Sequence, residues 1–236
     1  PAAVSGNGGA TIEHAYIQLG GFTLGYSDSL YETLTDSAGA LVIQDSIVGY
    51  TPGKANFVAY TFDAGNGFSA TLGLEAGHDD NYVDSYVPHV VVGAGFTQGW
   101  GSIAAVGAYD SNYEEFTGKV RLDVNATEQL SLWVMAGYGT GDDNAFSGGH
   151  DFYKLWDGDW AVWGGGSYQF NEKTSFNLQV SYDDGETLGI AANVAHELVP
   201  GFTITAEVDY QDWDANAYHP VGGDAFGGMI RFQRDF

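Results

Sequence analysis

Residues 202–211 read Phe-Thr-Ile-Thr-Ala-Glu-Val-Asp-Tyr-Gln, so apolar and polar side chains alternate at nearly every position. A period of two is typical of a β-strand whose two faces meet different surroundings. One face carries only apolar and aromatic side chains, whereas the other carries two carboxylates, two hydroxyls and an amide. Because a charged face stays in contact with water, this segment predicts a strand that separates an apolar environment from an aqueous one.

The same alternation recurs along the whole chain. It is clearest in five further segments, which are 68–76, 115–124, 130–138, 175–183 and 188–194. Weaker alternation predicts the remaining strands at 10–19, 21–26, 54–63, 88–97, 100–109, 159–170 and 224–236. We therefore expect about thirteen antiparallel strands and no long amphipathic helix.

The connections between these strands alternate in length. Short ones such as Gly20-Gly21 and Gly65-Asn66-Gly67 are made of residues that favour tight turns. The longer ones, at 27–53, 78–87, 139–158 and 212–223, are polar or acidic. Short turns at one end and long loops at the other are the layout of a transmembrane β-barrel, whose strands need only about ten residues to span the membrane.

A soluble β-sandwich is the main alternative, since its strands also alternate. A sandwich buries its apolar faces in a dry core and needs no charged face opposite them on nearly every strand. The barrel predicts instead that the apolar set points outward to lipid or a neighbouring subunit, namely Phe68, Leu72, Leu132, Leu178, Val180, Ile204 and Val208. The predicted fold class is therefore all-β, a transmembrane antiparallel β-barrel.

The composition excludes several functions. The chain has 31 Asp and Glu against 7 Lys and Arg, a net charge of −24, which would repel the phosphates of a nucleic acid. It contains no Cys, no HExxH and no G-x-S-x-G, so no thiolate chemistry and no catalytic residues are expected. The prediction is that the protein is not an enzyme.

Several segments resemble the alphaproteobacterial (rhizobial-type) general porins. They cover 12–22, 65–70, 99–104, 159–165, 197–205 and 230–236, and the resemblance extends over essentially the whole chain. It implies a porin-type barrel of sixteen strands in the outer membrane of a Gram-negative bacterium, assembled as a homotrimer in contact with membrane lipid and lipopolysaccharide. Residues 1–236 would form a single porin domain lacking about three N-terminal strands and the Cys pair that the family usually carries there.

The resemblance also implies an extracellular loop folded into the lumen as a constriction, and 27–53 is the connection at that place. Its acidic residues are Asp28, Glu32, Asp36 and Asp45. The basic residues expected across the lumen are Lys119, Arg121 and Arg231, and opposed charges in a narrow waist would filter ions. The acidic residues expected to line the lumen elsewhere are Glu75, Glu115, Asp123, Asp183, Glu207 and Asp209. Alternatively, the loop acids are merely solvated and the bases pair with Glu115 and Asp123.

The predicted function is passive diffusion of small hydrophilic solutes and ions through a water-filled channel, with a weak preference for cations. The alternative is a substrate-specific channel with a lumenal binding site, which the inward Trp133 and Trp163 would allow. No cofactor is expected. Two acidic clusters have oxygen ligands suited to Ca²⁺, although solvated loop acids explain them better; they are Asp79, Asp80, Asp84 and Asp142, Asp143, Asp151.

Overall fold

The computed structural model describes residues 12–37, 41–77, 82–141, 152–215 and 221–235. Within these ranges, thirteen strands form one antiparallel sheet in which each strand pairs with the next along the chain. The strands are β1 (Ala15–Leu19), β2 (Phe22–Asp28), β3 (Lys54–Asp63), β4 (Phe68–Glu75), β5 (His89–Gln98), β6 (Gly101–Asp110), β7 (Glu115–Asn125), β8 (Leu130–Gly139), β9 (Trp160–Asn171), β10 (Thr174–Asp183), β11 (Leu188–Val199), β12 (Phe202–Trp213) and β13 (Gly223–Arg234).

The predicted number and order of strands are confirmed, and the main differences are at strand ends. The strand predicted at 188–194 continues to Val199, and that predicted at 10–19 begins at Ala15 in the described residues. One four-residue helix, α1 (Leu30–Thr33), lies between β2 and β3. No helix within the described ranges has both the length and the apolar composition needed to cross a bilayer.

The two faces of the sheet differ as the alternation predicts. On β10, the even-numbered Leu178 and Val180 are about 40% exposed, whereas the intervening Gln179 is 3% exposed. Leu72, Leu132 and Val208 are also exposed on this apolar outer face. All thirteen described strands belong to one sheet, so no second sheet covers the apolar face and a two-sheet sandwich is excluded for the described residues.

The buried core lies on the inner face, where two connections fold back against the strands. In the first cluster, Leu30 and Tyr31 from the β2–β3 connection meet Phe152 and Tyr153 from the β8–β9 connection. In the second, the corresponding residues are Val48, Tyr50 and Trp156, packed against Met135 and Trp163 of the sheet. Residues 152–156 therefore fold inward, a feature that the polar composition of 139–158 does not predict.

Candidate functional site

The candidate site is built around residues 27–53, which we call the inward loop. It leaves the sheet at the end of β2 and returns at the start of β3. Between these points it is hydrogen-bonded to inner-face side chains of β4, β7, β9, β10, β11 and β12. One loop can contact the same face of six strands only if the sheet curves around it, so these contacts define an interior that the loop crosses.

Two carboxylates on the inner face hold the backbone N–H groups of the inward loop. Glu75 of β4 accepts hydrogen bonds from the Leu30 N–H at 2.7 Å and the Ser29 hydroxyl at 2.9 Å. Glu207 of β12 accepts from the N–H groups of Ile43 and Gln44 at 2.6 and 2.7 Å. Hydrogen bonds to a charged acceptor are shorter and stronger than neutral ones, so both residues anchor the loop to the wall.

Five donors on the inner face hold the carbonyl groups of the same loop. The donor–acceptor distances are 2.7–3.1 Å. The pairs are Arg121 with Ser37, Asn193 with Leu41, Gln179 with Asp45, Trp163 with Val48 and Lys119 with Tyr50. The bond from Trp163, together with its ring contact to Trp156, buries the indole, so this side chain presents no surface to a solute.

The two predicted basic residues of β7 lie beneath the inward loop and do not face it across open space. Lys119 is 2% exposed, with its ammonium group 4.2 Å from the centre of the Tyr31 ring. Arg121 is paired with Asp123 at 2.8 Å and stacks on Trp133 at 4.6 Å. The pairing of Arg121 with Asp123 is one of those named in the alternative, in which the basic residues of β7 pair with acids of their own strand.

The four acids of the inward loop have different surroundings. Asp28 forms an ion pair with Lys54 at 2.7 Å, and Asp36 is exposed. Burial raises the pKa of Glu32, an effect that the hydrogen bond from Thr51 partly offsets.

Burial likewise raises the pKa of Asp45, whose carboxylate accepts a hydrogen bond from the Tyr50 hydroxyl at 2.8 Å. The nearby carboxylate of Glu207 raises this pKa further, whereas the positive charge of Arg231 lowers it. The loop therefore carries its charge mainly on Glu32, Asp36 and Asp45.

Of the remaining predicted residues, some accept hydrogen bonds from the chain and others are charged side chains on the strands. Asp183 accepts hydrogen bonds from the backbone N–H groups of Asp157 and Thr187, and Glu115 accepts one from the Thr140 hydroxyl. Asp209 lies over Gly227 on the inner face of β12 and β13. Arg231 is exposed on β13, opposite Thr205, and makes no ion pair within the described part of the chain.

The calcium prediction falls mostly outside the described residues. Of the six acids proposed, only Asp84 is described, and it is exposed. Across the described ranges, no group of three or more His, Cys, Asp or Glu side chains is arranged to hold a metal ion.

Residues 152–156 belong to the same site, although the polar composition of 139–158 predicts an ordinary long loop. Tyr153 donates a hydrogen bond to Glu75 at 3.0 Å, and the Phe152 N–H donates one to Asp110 at 2.6 Å. The signal that could have found them is the aromatic run Phe152-Tyr153-Lys154-Leu155-Trp156 within an otherwise acidic and glycine-rich connection.

The chain is similar in sequence to known proteins. Residues 2–229 match the model of the porin subfamily. The chain is 44% identical over 241 residues to porin Omp2b of Brucella abortus (strain 2308), covering 97% of this chain and 64% of that protein. It is 45% identical over 233 residues to porin Omp2a of Brucella melitensis, covering 97% of this chain and 62% of that protein. The chain thus spans just under two thirds of the length of these relatives.

Solved structures show the same fold. A triple mutant of Rhodopseudomonas blastica porin matches with a TM-score of 0.64 at 14% sequence identity, covering 92% of this chain and 75% of that one. An anion-selective porin from Comamonas acidovorans matches with a TM-score of 0.54 at 16% identity, covering 88% and 68%. The fold is the transmembrane β-barrel of porins, and the matches indicate the outer membrane of a Gram-negative bacterium. Its sequence, its sheet and its relatives together identify the chain as a member of the porin subfamily.

Proposed function

We propose that the protein forms a water-filled channel for passive diffusion of small hydrophilic solutes and ions, with the inward loop as its constriction. The observation that carries the proposal is the anchoring of this loop across the barrel interior by seven inner-face side chains. A fixed loop narrows a pore without closing it, which suits diffusion of solutes selected by size and charge.

We further propose a weak preference for cations. Four of the seven basic residues are neutralised or covered, since Lys54 pairs with Asp28, Arg121 pairs with Asp123, and Lys119 and Lys154 are buried. On the inner face and the inward loop, the acids Glu32, Asp36, Asp45 and Asp209 outnumber the exposed Arg231. The positive charge of Arg231 acts on Asp45, whereas the positive charges that act on Glu32 are those of Lys119 and Lys54. A unit charge about 10 Å away in water changes the energy of an ion by about 0.4 kcal/mol, so the preference is modest.

The outer face supports contact with membrane lipid, and we propose that it also provides the interface of a homotrimer. Large apolar side chains remain exposed on this face along most strands, among them Leu72, Val134, Val180 and Val208. Lipid and lipopolysaccharide acyl chains or a neighbouring subunit would cover such a surface. Light scattering of the purified protein would give the number of subunits.

The selectivity test is the reversal potential of the full-length protein in a planar bilayer under a KCl gradient. At about 0.1 M KCl, the Asp36→Asn/Asp45→Asn variant should lower the cation-to-anion permeability ratio by roughly twofold, because two loop charges are lost and salt screens each of them over about one Debye length. The matched control is Asp84→Asn/Asp212→Asn, which removes the same charge from two exposed residues near the loop end of the barrel. An anion-selective parent, or a larger shift in the control than in the loop variant, would contradict the proposal.

A further inference from the structure

We propose that residues 152–156 form a strut that holds the inward loop in place at two points, with Tyr153 as the residue that positions the first half of the loop. This inference rests on the proposed function, since it concerns the loop assigned there as the constriction. It adds a second connection, the one between β8 and β9, to the part of the molecule that sets the pore.

The first point of attachment is Glu75. This carboxylate is 1% exposed and binds the Ser29 hydroxyl and the Leu30 N–H of the loop together with the Tyr153 hydroxyl of the strut. The Tyr153 ring also packs against Tyr31 of the loop, with ring centres 5.3 Å apart. One wall carboxylate therefore joins the loop and the strut, and Tyr153 supplies both a hydrogen bond and a packing surface.

The strut itself is fixed to the wall beside this contact. The Phe152 N–H donates to Asp110, and the Phe152 ring stacks on His89 at 5.6 Å between ring centres. Asp110 also lies 3.3 Å from His89, and both side chains are fully buried. Lys154 donates hydrogen bonds to the carbonyl groups of Gly141 and Gly158, which closes the strut onto its own connection.

The second point of attachment is at Trp156. Its ring packs on Trp163, which donates to the Val48 carbonyl, and Trp156 shares a buried cluster with Val48 and Tyr50 of the loop. The loop and strut backbones come so close here that a Cβ added to Gly49 would lie 2.3 Å from the Leu155 carbonyl oxygen. A backbone contact of this kind leaves no room for the loop to shift toward the strut.

The wall beneath the strut is shaped to receive it. A Cβ added to Gly137 would lie 2.7 Å from the Trp156 ring, and one added to Gly139 would lie 2.8 Å from the Lys154 side chain. Both glycines are on the inner face of β8. The close fit extends from wall to strut and from strut to loop, so displacing the strut would remove a support from the loop near both of its ends.

The test uses a buried reporter in the loop. Thr35 follows α1 and is 1% exposed, and the 236 residues contain no cysteine, so Thr35→Cys introduces a thiol that is unique within them. The full-length protein is reconstituted in lipid vesicles, and the rate of modification by a charged thiosulfonate is measured, with the protein that retains Thr35 as the blank for thiols elsewhere in the full-length chain. Tyr153→Phe removes only the hydroxyl from Glu75, and we expect the modification rate to rise about tenfold, the size expected for one charge-assisted hydrogen bond.

Two further variants serve as a second test and as a control. Gly49→Ala should also raise the rate of modification, because its methyl group pushes the loop away from Leu155. Gly107→Ala is the matched control, since nothing lies within 4 Å of the added Cβ, and it should leave the rate unchanged. In planar bilayers, Tyr153→Phe and Gly49→Ala should increase open-channel current noise, whereas Gly107→Ala should not.

The outcomes separate this inference from the proposed function. A parent protein that forms no channel contradicts the proposed function, whatever the reporter shows. A parent that conducts, with Tyr153→Phe and Gly49→Ala indistinguishable from it in modification rate and noise, overturns the strut. Failure of Tyr153→Phe to assemble also overturns it, because a residue needed for folding would not be a specific positioning residue.

Discussion

Individual carboxylates in this protein serve two purposes that the sequence does not distinguish. Glu75 and Glu207 look like lumen-facing acids because they occupy polar positions of alternating strands. In the structure both are nearly fully buried and accept hydrogen bonds from backbone N–H groups of the inward loop. A carboxylate can accept several hydrogen bonds, so an acid on the inner face can fasten a loop as well as attract a cation.

The raised pKa values of Glu32 and Asp45 predict a pH-dependent cation preference. A carboxyl group with a raised pKa takes up its proton at a higher pH, so these charges are lost first on acidification. We expect the preference to fall as the pH drops from 7, starting above the ordinary pKa values of 4.5 for Glu32 and 3.8 for Asp45. Reversal potentials measured between pH 7 and 4 give the profile.

A double variant identifies the groups responsible for this profile. Glu32→Gln/Asp45→Asn should lower the preference at pH 7 and remove the part of the pH dependence nearest neutrality. Asp84→Asn, at an exposed residue outside the loop, should leave the shape of the profile as it is. A parent profile that stays flat until the pH falls below about 4 would show that burial does not raise these pKa values.

At the scale of elements, strands were predictable and the inward segments only partly so. Alternation is a local property, and residues 175–183 show it so clearly that β10 matches with its bounds shifted by one residue at the start. The position of a loop depends on contacts distant in sequence, such as those of Ile43 with Glu207, 164 residues away. No local pattern encodes such a pair, and the resemblance to a family was needed to place 27–53 inside the barrel.

The position of the strut also depends on contacts that are distant in sequence. Its aromatic residues are visible in the sequence, but their partners Asp110, His89 and Glu75 lie on strands that pairing brings together only in the folded sheet. Likewise, the burial of Lys119 depends on Tyr31 and Tyr50 lying over it. Alternation places Lys119 on the polar face of β7, and no local pattern shows that the loop covers it.

The assignment of faces predicts opposite effects of the same substitution at neighbouring positions. Leu178 lies on the outer face of β10 and pairs with Gly166, whereas Ser167 lies on the inner face of β9 at nearly the same depth. Leu178→Arg should destabilise the folded barrel by about 2–4 kcal/mol, the cost of a lipid-facing charge near the bilayer centre. Urea-induced unfolding in lipid vesicles measures the change.

Ser167→Arg is the matched control for that experiment. It introduces the same side chain into the interior, where water is available to solvate it, and should change the unfolding free energy far less. If both substitutions had similar effects, or if the effect at Ser167 were the larger, the assignment of inner and outer faces on β9 and β10 would be wrong.

At the scale of the whole molecule, the acidic residues behind the net charge of −24 fall into two groups. Some hold the fold together through hydrogen bonds, and others create the electrostatic potential that acts on ions. Buried acids such as Glu75, Glu207 and Asp183 are engaged by hydrogen bonds to the chain. Exposed acids act on ions in solution instead, and four of the seven basic residues are paired or covered. The net charge therefore indicates the sign of the field in the proposed channel, whereas the geometry of the inward loop decides its strength.

This view predicts that the cation preference weakens as salt increases. The Debye length is about 10 Å at 0.1 M and about 3 Å at 1 M, so the charges of Asp36, Asp45 and Asp209 act over a pore radius only in dilute salt. Reversal potentials measured with the same KCl concentration ratio, centred on 0.1 M and then on 1 M, should give a smaller cation-to-anion permeability ratio at the higher concentration. The Asp36→Asn/Asp45→Asn variant should show a smaller dependence on salt than the parent, because fewer fixed charges remain to be screened. A ratio independent of salt would point to selection by close contact with a binding site, and would favour a substrate-specific channel over general diffusion.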